Sequence, residues 1–409
     1  MMKKKILIVG CGDRDDTFSY LSKDINNRYS ILIDKNEIKG EINLPNFISS
    51  VYYSENYLTP QILIKNIKPD VIVFFQIFDF YQIALAIATN KTKIQTFFLA
   101  HGALTDLLIY KSRSEDNLKT LTRSKWRLIF QRLPEIIKSR IFYYSTFLLI
   151  SRNNFLNYLK LPWAIYRLSN AMALNLYHFS EMEMNGYILF NKHNYDLYNY
   201  LYNLESSKVY FSGIPFFDFL QEGKNNDYLI YLDHPYLEYG HFDWNNDHHK
   251  KIALMLEVFA EKNKIQVYIK LHPKSNINIW KNYNLSSSYL KIIQEGNYEQ
   301  LYANTNMVLG FSSSMIPGFL SANKNVVLLG WHPIDKNIMG EDFSQMGLCH
   351  KSLEISDLNN KYEQWNNNNK ARKKNKAYDI FIKKYNYPFD GKATERIIDI
   401  ISSKSSLNK

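Results

Sequence analysis

Cysteine is nearly absent: the 409 residues hold only Cys11 and Cys349. That excludes a disulfide framework and a cysteine-based metal site, and it fits a reducing cytoplasm. Long apolar runs are missing as well. The best, Phe142 to Ile150, falls far short of the ~20 residues that span a bilayer and is flanked by Arg140 and Arg152. The opening Met-Met-Lys-Lys-Lys and Ile6–Val9 lack the apolar length and small-residue cleavage site of a signal peptide. They read as the entry to a first buried strand. No Asp-x-Asp cluster or His/Cys constellation stands at a strand end, so neither a metal nor another cofactor is expected. Asp13, Asp15 and Asp16 come nearest, and they read equally well as a solvated turn. Zinc-finger spacing, an RNA-recognition signature and a basic tail are all lacking, which argues against nucleic acid. No repeat recurs at a solenoid period.

What is present is a 46% hydrophobic chain with a formal net charge of +11. Its length exceeds one ordinary core, so two domains are expected. The charge points to an anionic partner: nucleic acid, acidic lipid or a charged substrate.

Strands and helices alternate from the start. Ile6–Val9 runs into Gly10-Cys11-Gly12-Asp13, the usual opening of a doubly wound α/β domain. It is not a dinucleotide fingerprint, because no third glycine follows at the right place. Residues 29–34, 70–75 and 95–99 are unbroken β-branched and aromatic runs, as in parallel strands covered on both faces. The last of these delivers His101 to a strand tip. There it either faces a ligand cleft or caps the next helix.

From Lys111 to Arg167 twelve cations stand against three anions, interleaved with Trp126, Phe130, Phe142, Tyr143, Phe147 and Trp163. That mixture suits helices resting on an anionic membrane surface, or solvated helices that pack their apolar faces inward. Val209–Pro215 reads as the closing strand of the first domain and the polar stretch 221–227 as a linker. The expected organisation is a first, acceptor-side domain over 1–220 with a basic aromatic helical insert at 111–167. A second, nucleotide-binding domain covers 226–385, and a C-terminal helix covers 386–409.

The second domain carries the chemistry. Val267–Leu271 delivers His272-Pro273 to a strand tip. Asn306–Gly310 delivers Ser312, Ser313 and Ser314 to the start of a helix. Backbone N–H groups and the helix dipole make such a start attractive to phosphate, and the hydroxyls add donors. His272 can donate a hydrogen bond or a proton to a phosphate oxygen, and Lys270, two residues back on the same side of its strand, adds charge. Alone, a His-Pro pair reads as a strand end and serines read as a helix cap; together and in this order they read as a phosphate site. Asp233 follows the apolar strand Tyr228–Leu232. A carboxylate there can attack an anomeric carbon or act as a general base on an acceptor hydroxyl, and so can Glu238. The alternative for Asp233 is an Asx turn or a helix cap before Pro235. Without metal ligands to neutralise a diphosphate, a nucleoside monophosphate donor is favoured.

With these residues in view the second domain resembles the bacterial transferases that use CMP-activated acidic sugars, the sialyltransferases and Kdo transferases. These have two Rossmann-like domains facing a cleft, the GT-B architecture, with a His-Pro and a Ser-Ser motif in the second domain. The resemblance implies that His272-Pro273 and two of Ser312–Ser314 contact the CMP phosphate. The sialyltransferases carry an acidic-acidic-glycine motif, which Glu238-Tyr239-Gly240 breaks at its middle position. Tyr231-Leu232-Asp233-His234-Pro235 looks more like the retaining β-Kdo transferases of lipopolysaccharide and capsule synthesis. Carried over, that likeness makes Asp233 the nucleophile of a double displacement.

The expectation is therefore a retaining transferase moving Kdo from CMP-β-Kdo to a lipid-linked polysaccharide, peripheral on the inner face of the cytoplasmic membrane. Glu299 is assigned to the ribose or base, and His101 or Glu238 to the acceptor. The alternatives are an inverting transferase of sialic or another nonulosonic acid, and a CDP-glycerol-type phosphotransferase of teichoic acid synthesis.

Overall fold

In the computed structural model the described residues are 3–10, 18–35, 44–101, 133–168, 170–224, 226–240, 244–294, 296, 298–311, 313–330, 341–367 and 376–403. Residues 11–17, the cations from Lys111 to Arg132 and Ser312 lie outside them. The chain divides into two compact units. The first comprises residues 1–215 with 392–409, and the second comprises 216–391.

In the first unit β1 (Lys5–Val9), β2 (Arg28–Ile33), β3 (Ile48–Tyr53), β4 (Val71–Phe74), β5 (Gln95–Leu99), β6 (Gly186–Leu189) and β7 (Val209–Phe211) form one sheet. Its order is β3-β2-β1-β4-β5-β6-β7, parallel throughout. Ile6 to Val9, Val71 to Phe74 and Phe97 to Leu99 are buried without a break, because helices cover both faces of a parallel sheet. α1 (Pro60–Ile67) starts where Thr59 accepts the N–H of Ile62, with proline in its first turn. α2 (Phe80–Asn90) starts from a reciprocal box between Asp79 and Gln82. α3 (Leu133–Tyr144), α4 (Phe155–Arg167), α5 (Asn170–Tyr177) and α6 (Lys192–Tyr202) follow.

The second unit repeats the plan. β8 (Asn226–Leu232), β9 (Gln266–Lys270), β10 (Leu290–Ile293), β11 (Thr305–Gly310), β12 (Asn325–Leu329) and β13 (His350–Ser352) pair in the order β10-β9-β8-β11-β12-β13, all parallel. The helices are α7 (Tyr236–Tyr239), α8 (Asn246–Asn263), α9 (Ile277–Lys281), α10 (Glu299–Asn304), α11 (Ile316–Ser321), α12 (Glu341–Gln345), α13 (Ile355–Asn367) and α14 (Lys376–Tyr385). Side chains alternate between sheet faces. One face sends Leu229, Tyr231, Val267, Ile269, Met307 and Leu309 into a cluster with Ile252, Met255, Leu256 and Phe259 of α8.

Three features differ from the sequence reading. The strand expected over 209–215 stops at Phe211, because Gly213 takes a positive φ of 81° and Pro215 opens a 3-10 turn. The unit boundary falls at Pro215 rather than in the polar stretch 221–227. Phe217 lies against Gly318, and Gly223 against Ala303, inside the second unit. The last helix, α15 (Ala393–Ser402), returns to the first unit. There Arg396 Nε donates to Ser212 O at 2.8 Å and Asn27 Nδ2 to Ser402 Oγ at 2.8 Å.

Candidate functional site

In the second unit the strand order reverses at β8, whose neighbours β9 and β11 are reached by connections leaving in opposite directions. Open α/β sheets leave a crevice for ligands at the carboxyl ends of strands around such a point. Leu232 is in register with Lys270 on one side and Gly310 on the other. The residues that follow, Asp233, Leu271-His272 and Phe311, therefore emerge side by side on strands about 4.8 Å apart.

Asp233 continues the ladder, its N–H donating to Lys270 O at 2.9 Å. Alternation puts its side chain on the same face as Leu229 and Tyr231, the face covered by α8. The first turn of α8, capped by Asn245, presents His249 there. Both side chains are buried, and His249 Nε2 stands 3.8 Å from Asp233 Oδ1. The other ring nitrogen, Nδ1, is 2.9 Å from the Tyr283 hydroxyl. Trp280 meets the imidazole edge-on at 4.7 Å. Asp233 Oδ2 is buried with no hydrogen-bond partner, so one carboxylate oxygen faces His249 while the other keeps its lone pairs unspent. Burial, then Asp233 and Glu238, push the Tyr283 hydroxyl above its usual range. Burial, Asp233 and Tyr236 do the same to Tyr231. Sequence reading missed His249 and Tyr283; the visible signal was a histidine in the first turn of the helix after the Asp233 strand.

His272 is half-buried, its ring 5.7 Å from that of His234. Its Nδ1 accepts the N–H of Lys274 at 3.1 Å, so in the neutral ring the proton sits on Nε2. Gln294 steadies this turn by donating to Ser275 O at 2.7 Å. Pro273 is exposed beside it. Lys270 points elsewhere. Its ammonium donates to Leu271 O and Gln294 O, at 2.8 Å each, and lies 5.2 Å from the Tyr298 ring. Two of its three donors are thus taken, and burial lowers its pKa against the pull of Asp233.

The serine turn is tighter than expected. Ser313 Oγ accepts the N–H of Met315 at 3.2 Å, Ser314 is exposed, and the helix begins only at Ile316 with Pro317 in its first turn. Glu238 sits on the single turn α7, where Oε1 accepts the N–H of Asn276, the residue that caps α9, at 2.6 Å. Glu299 opens α10 and is exposed. His101 follows β5 in the first unit. Among the described residues no cluster of three or more His, Cys, Asp or Glu has the spacing of a metal site.

A cavity of about 1140 Å³ opens in the first unit, at the amino ends of β5 and β6, beside Thr96, Asn185 and Lys208. Ligands of such sheets bind at the opposite, carboxyl ends. The Lys208 ammonium is already paired with Glu183 at 3.0 Å and Glu205 at 2.8 Å. The switch point of the second unit is therefore the better candidate.

Two successive Rossmann-like domains with parallel sheets are the GT-B fold. Solved structures with this fold match along nearly the whole chain. The wall teichoic acid polymerase TagF is 12% identical at a TM-score of 0.52, over 98% of this chain and 89% of its own. The UDP-GlcNAc 2-epimerase of Methanocaldococcus jannaschii is 17% identical at 0.50, over 98% and 99%. A putative UDP-N-acetylglucosamine 2-epimerase of Listeria monocytogenes is 12% identical at 0.51, over 98% and 96%. These likenesses establish the fold. No protein-family profile and no curated protein sequence matches the chain.

Proposed function

We propose that the chain is a glycosyltransferase that moves Kdo from CMP-β-Kdo to a lipid-linked bacterial polysaccharide acceptor with retention of configuration. The observation that carries this reading is the buried Asp233 carboxylate at the tip of β8, with Oδ2 unpartnered and Oδ1 facing His249. Its environment suits a nucleophile better than a helix cap, because a cap would spend that oxygen on a backbone N–H. Oδ2 attacks the anomeric carbon as the bond to the phosphate oxygen breaks, and CMP leaves with the electron pair. His272 donates from Nε2 to the departing phosphate, and Ser312, Ser313, Ser314 and Pro273 frame it. Lys270 supports the frame through the carbonyls it holds, and Glu299 reaches the ribose or base. An acceptor hydroxyl then displaces the aspartate, giving its proton to Glu238; His101 is the first unit's candidate for the acceptor. No cofactor takes part.

The test is incubation of wild type and Asp233→Ala with CMP-Kdo and a GlcNAc-terminated acceptor. CMP-sialic acid, CDP-glycerol and UDP-GlcNAc serve as parallel donors. Transfer from CMP-Kdo with retained anomeric configuration by NMR, absent in the variant, supports the reading. Equal transfer by both proteins overturns the nucleophile, an inverted product makes Asp233 a base, and turnover of another donor alone replaces the substrate.

A further inference from the structure

The described part of the basic insert has two faces. Inward, Phe142 and Tyr143 of α3 pack on α2, with Tyr81–Phe142 and Phe80–Tyr143 ring distances of 5.0 and 5.3 Å. Tyr158, Leu161 and Ala164 of α4 are buried, and Tyr143 stacks on Tyr158 at 4.5 Å. This inward packing already accounts for the fold of the hairpin. Outward, Leu133, Ile137, Ile141 and Tyr144 are 42 to 52% exposed. At 3.6 residues per turn they fall within about 80° of arc. The stripe continues through Phe147 and Leu148, the latter 90% exposed, and then Leu156, Leu159 and Trp163 along one face of α4. The edge contact of Phe147 with Phe155, 5.3 Å between rings, joins the two stripes. A soluble surface tolerates scattered apolar side chains, but a contiguous apolar face marks a place of contact.

Charge identifies the contact. Lys138, Arg152, Lys160 and Arg167 are exposed on or beside the stripes, while Glu135 is the one acidic residue between 133 and 168. Lys160 and Arg167 share the outer face of α4 with Leu156 and Trp163, and the Arg167 guanidinium lies 3.7 Å over the Trp163 ring. An apolar stripe edged by cations, with an indole under a guanidinium, matches the boundary between acyl chains and anionic headgroups. A second copy of the same face would oppose cation to cation, which disfavours a symmetric dimer through this surface.

We infer that the α3–α4 face is a docking surface for an anionic lipid bilayer. The residues enter at interfacial depth and do not span it: among the described residues no helix is long and apolar enough to cross a membrane. The inference is independent of the donor chemistry proposed above.

Sedimentation with phosphatidylglycerol-containing and pure phosphatidylcholine vesicles tests it, using the full chain. Two variants accompany the wild type. One is Leu148→Glu with Leu156→Glu and Trp163→Glu; the other replaces Lys138, Arg152, Lys160 and Arg167 by Gln. All seven positions are exposed, and circular dichroism checks that the fold is kept. The wild type is expected to bind the anionic vesicles about a hundredfold more tightly than the neutral ones, and each variant to lose that preference. About 0.5 M NaCl weakens binding without abolishing it, since screening leaves the apolar part. Equal binding to both vesicles overturns the anionic assignment. Binding retained by both variants overturns the location. A wild-type dimer that the glutamate variant turns into a monomer, with no vesicle binding, assigns the face to a second copy instead.

Discussion

The imidazole Nε2 of His249 stands 3.8 Å from Asp233 Oδ1, and both side chains are buried. Tyr283 bonds the far nitrogen at 2.9 Å. Burial raises the pKa of that hydroxyl. In the tautomer where the hydroxyl donates to Nδ1, Nε2 carries the ring proton and faces the carboxylate. A carboxylate held in this way stays oriented without spending its second oxygen.

Under the proposed reaction, that arrangement ranks three substitutions. Asp233→Asn keeps the shape and removes the nucleophile, so transfer should fall by about 10⁴-fold or more. His249→Gln leaves the nucleophile in place but unfixed, and kcat should fall about 100-fold with KM little changed. Tyr283→Phe removes one hydrogen bond and should cost about tenfold or less. Steady-state kinetics checks the order; a His249 variant as active as wild type would separate the histidine from the reaction.

Lys324 is buried, and burial lowers its pKa to about 8. An unfolded lysine titrates near 10.4. Between these values the unfolded chain binds the extra proton, so the second unit should gain stability as pH rises from about 8 to about 10. Lys324→Met should remove that rise and stabilise the unit at pH 7 by about 1–2 kcal/mol. Urea unfolding at pH 7 and pH 9.5 measures both.

Glu181 shows the opposite sign. Burial pushes its carboxyl up, but the N–H of Ser151 at 2.7 Å and the amide of Asn154 outweigh this and hold it below the ordinary range. Its contribution is present above the unfolded value of about 4.3 and is lost as pH falls through the lower folded value. Glu181→Gln should cost about 2 kcal/mol at pH 7, since its bonds are charge-assisted, and should blunt the acid limb of the stability curve.

Two glycines of the second unit have no room for a side chain. A Cβ on Gly318 would meet the Phe217 ring at 2.6 Å, and one on Gly223 would run into the Ala303 backbone. Gly318→Ala should cost about 1–3 kcal/mol, because a ring can shift. Gly223→Ala should cost more, because backbone cannot. Thermal unfolding of both variants tests the order.

Much of this was legible in the sequence wherever apolar runs were bracketed by polar residues. β5 matches its expected limits residue for residue, and β9 and β11 fall within one residue of theirs at each end. β3, β6 and β13 went unread. β3 alternates half-exposed residues, β6 has four residues, and β13 is a polar His-Lys-Ser. Short strands gain their identity from a neighbour's ladder rather than from their own pattern. The tips carrying Asp233 and His272 could be read because each ends a hydrophobic run. His249 could not, since its approach to Asp233 depends on strand parity and on which face α8 covers. Lys270 misled for a related reason: strand parity aligned it with His272, but a flexible amine reaches back to nearby carbonyls.

The return of α15 to the first unit has a consequence for biosynthesis. The second unit is one continuous stretch, 216–391, whereas the first needs residues on both sides of it. A ribosome therefore completes the second unit while the first still lacks a helix, and with it the bonds from Lys4 and Asn27 to residues 403 and 402. The unit begun first is the one finished last, and any truncation near 391 leaves the second unit whole while the first stays incomplete.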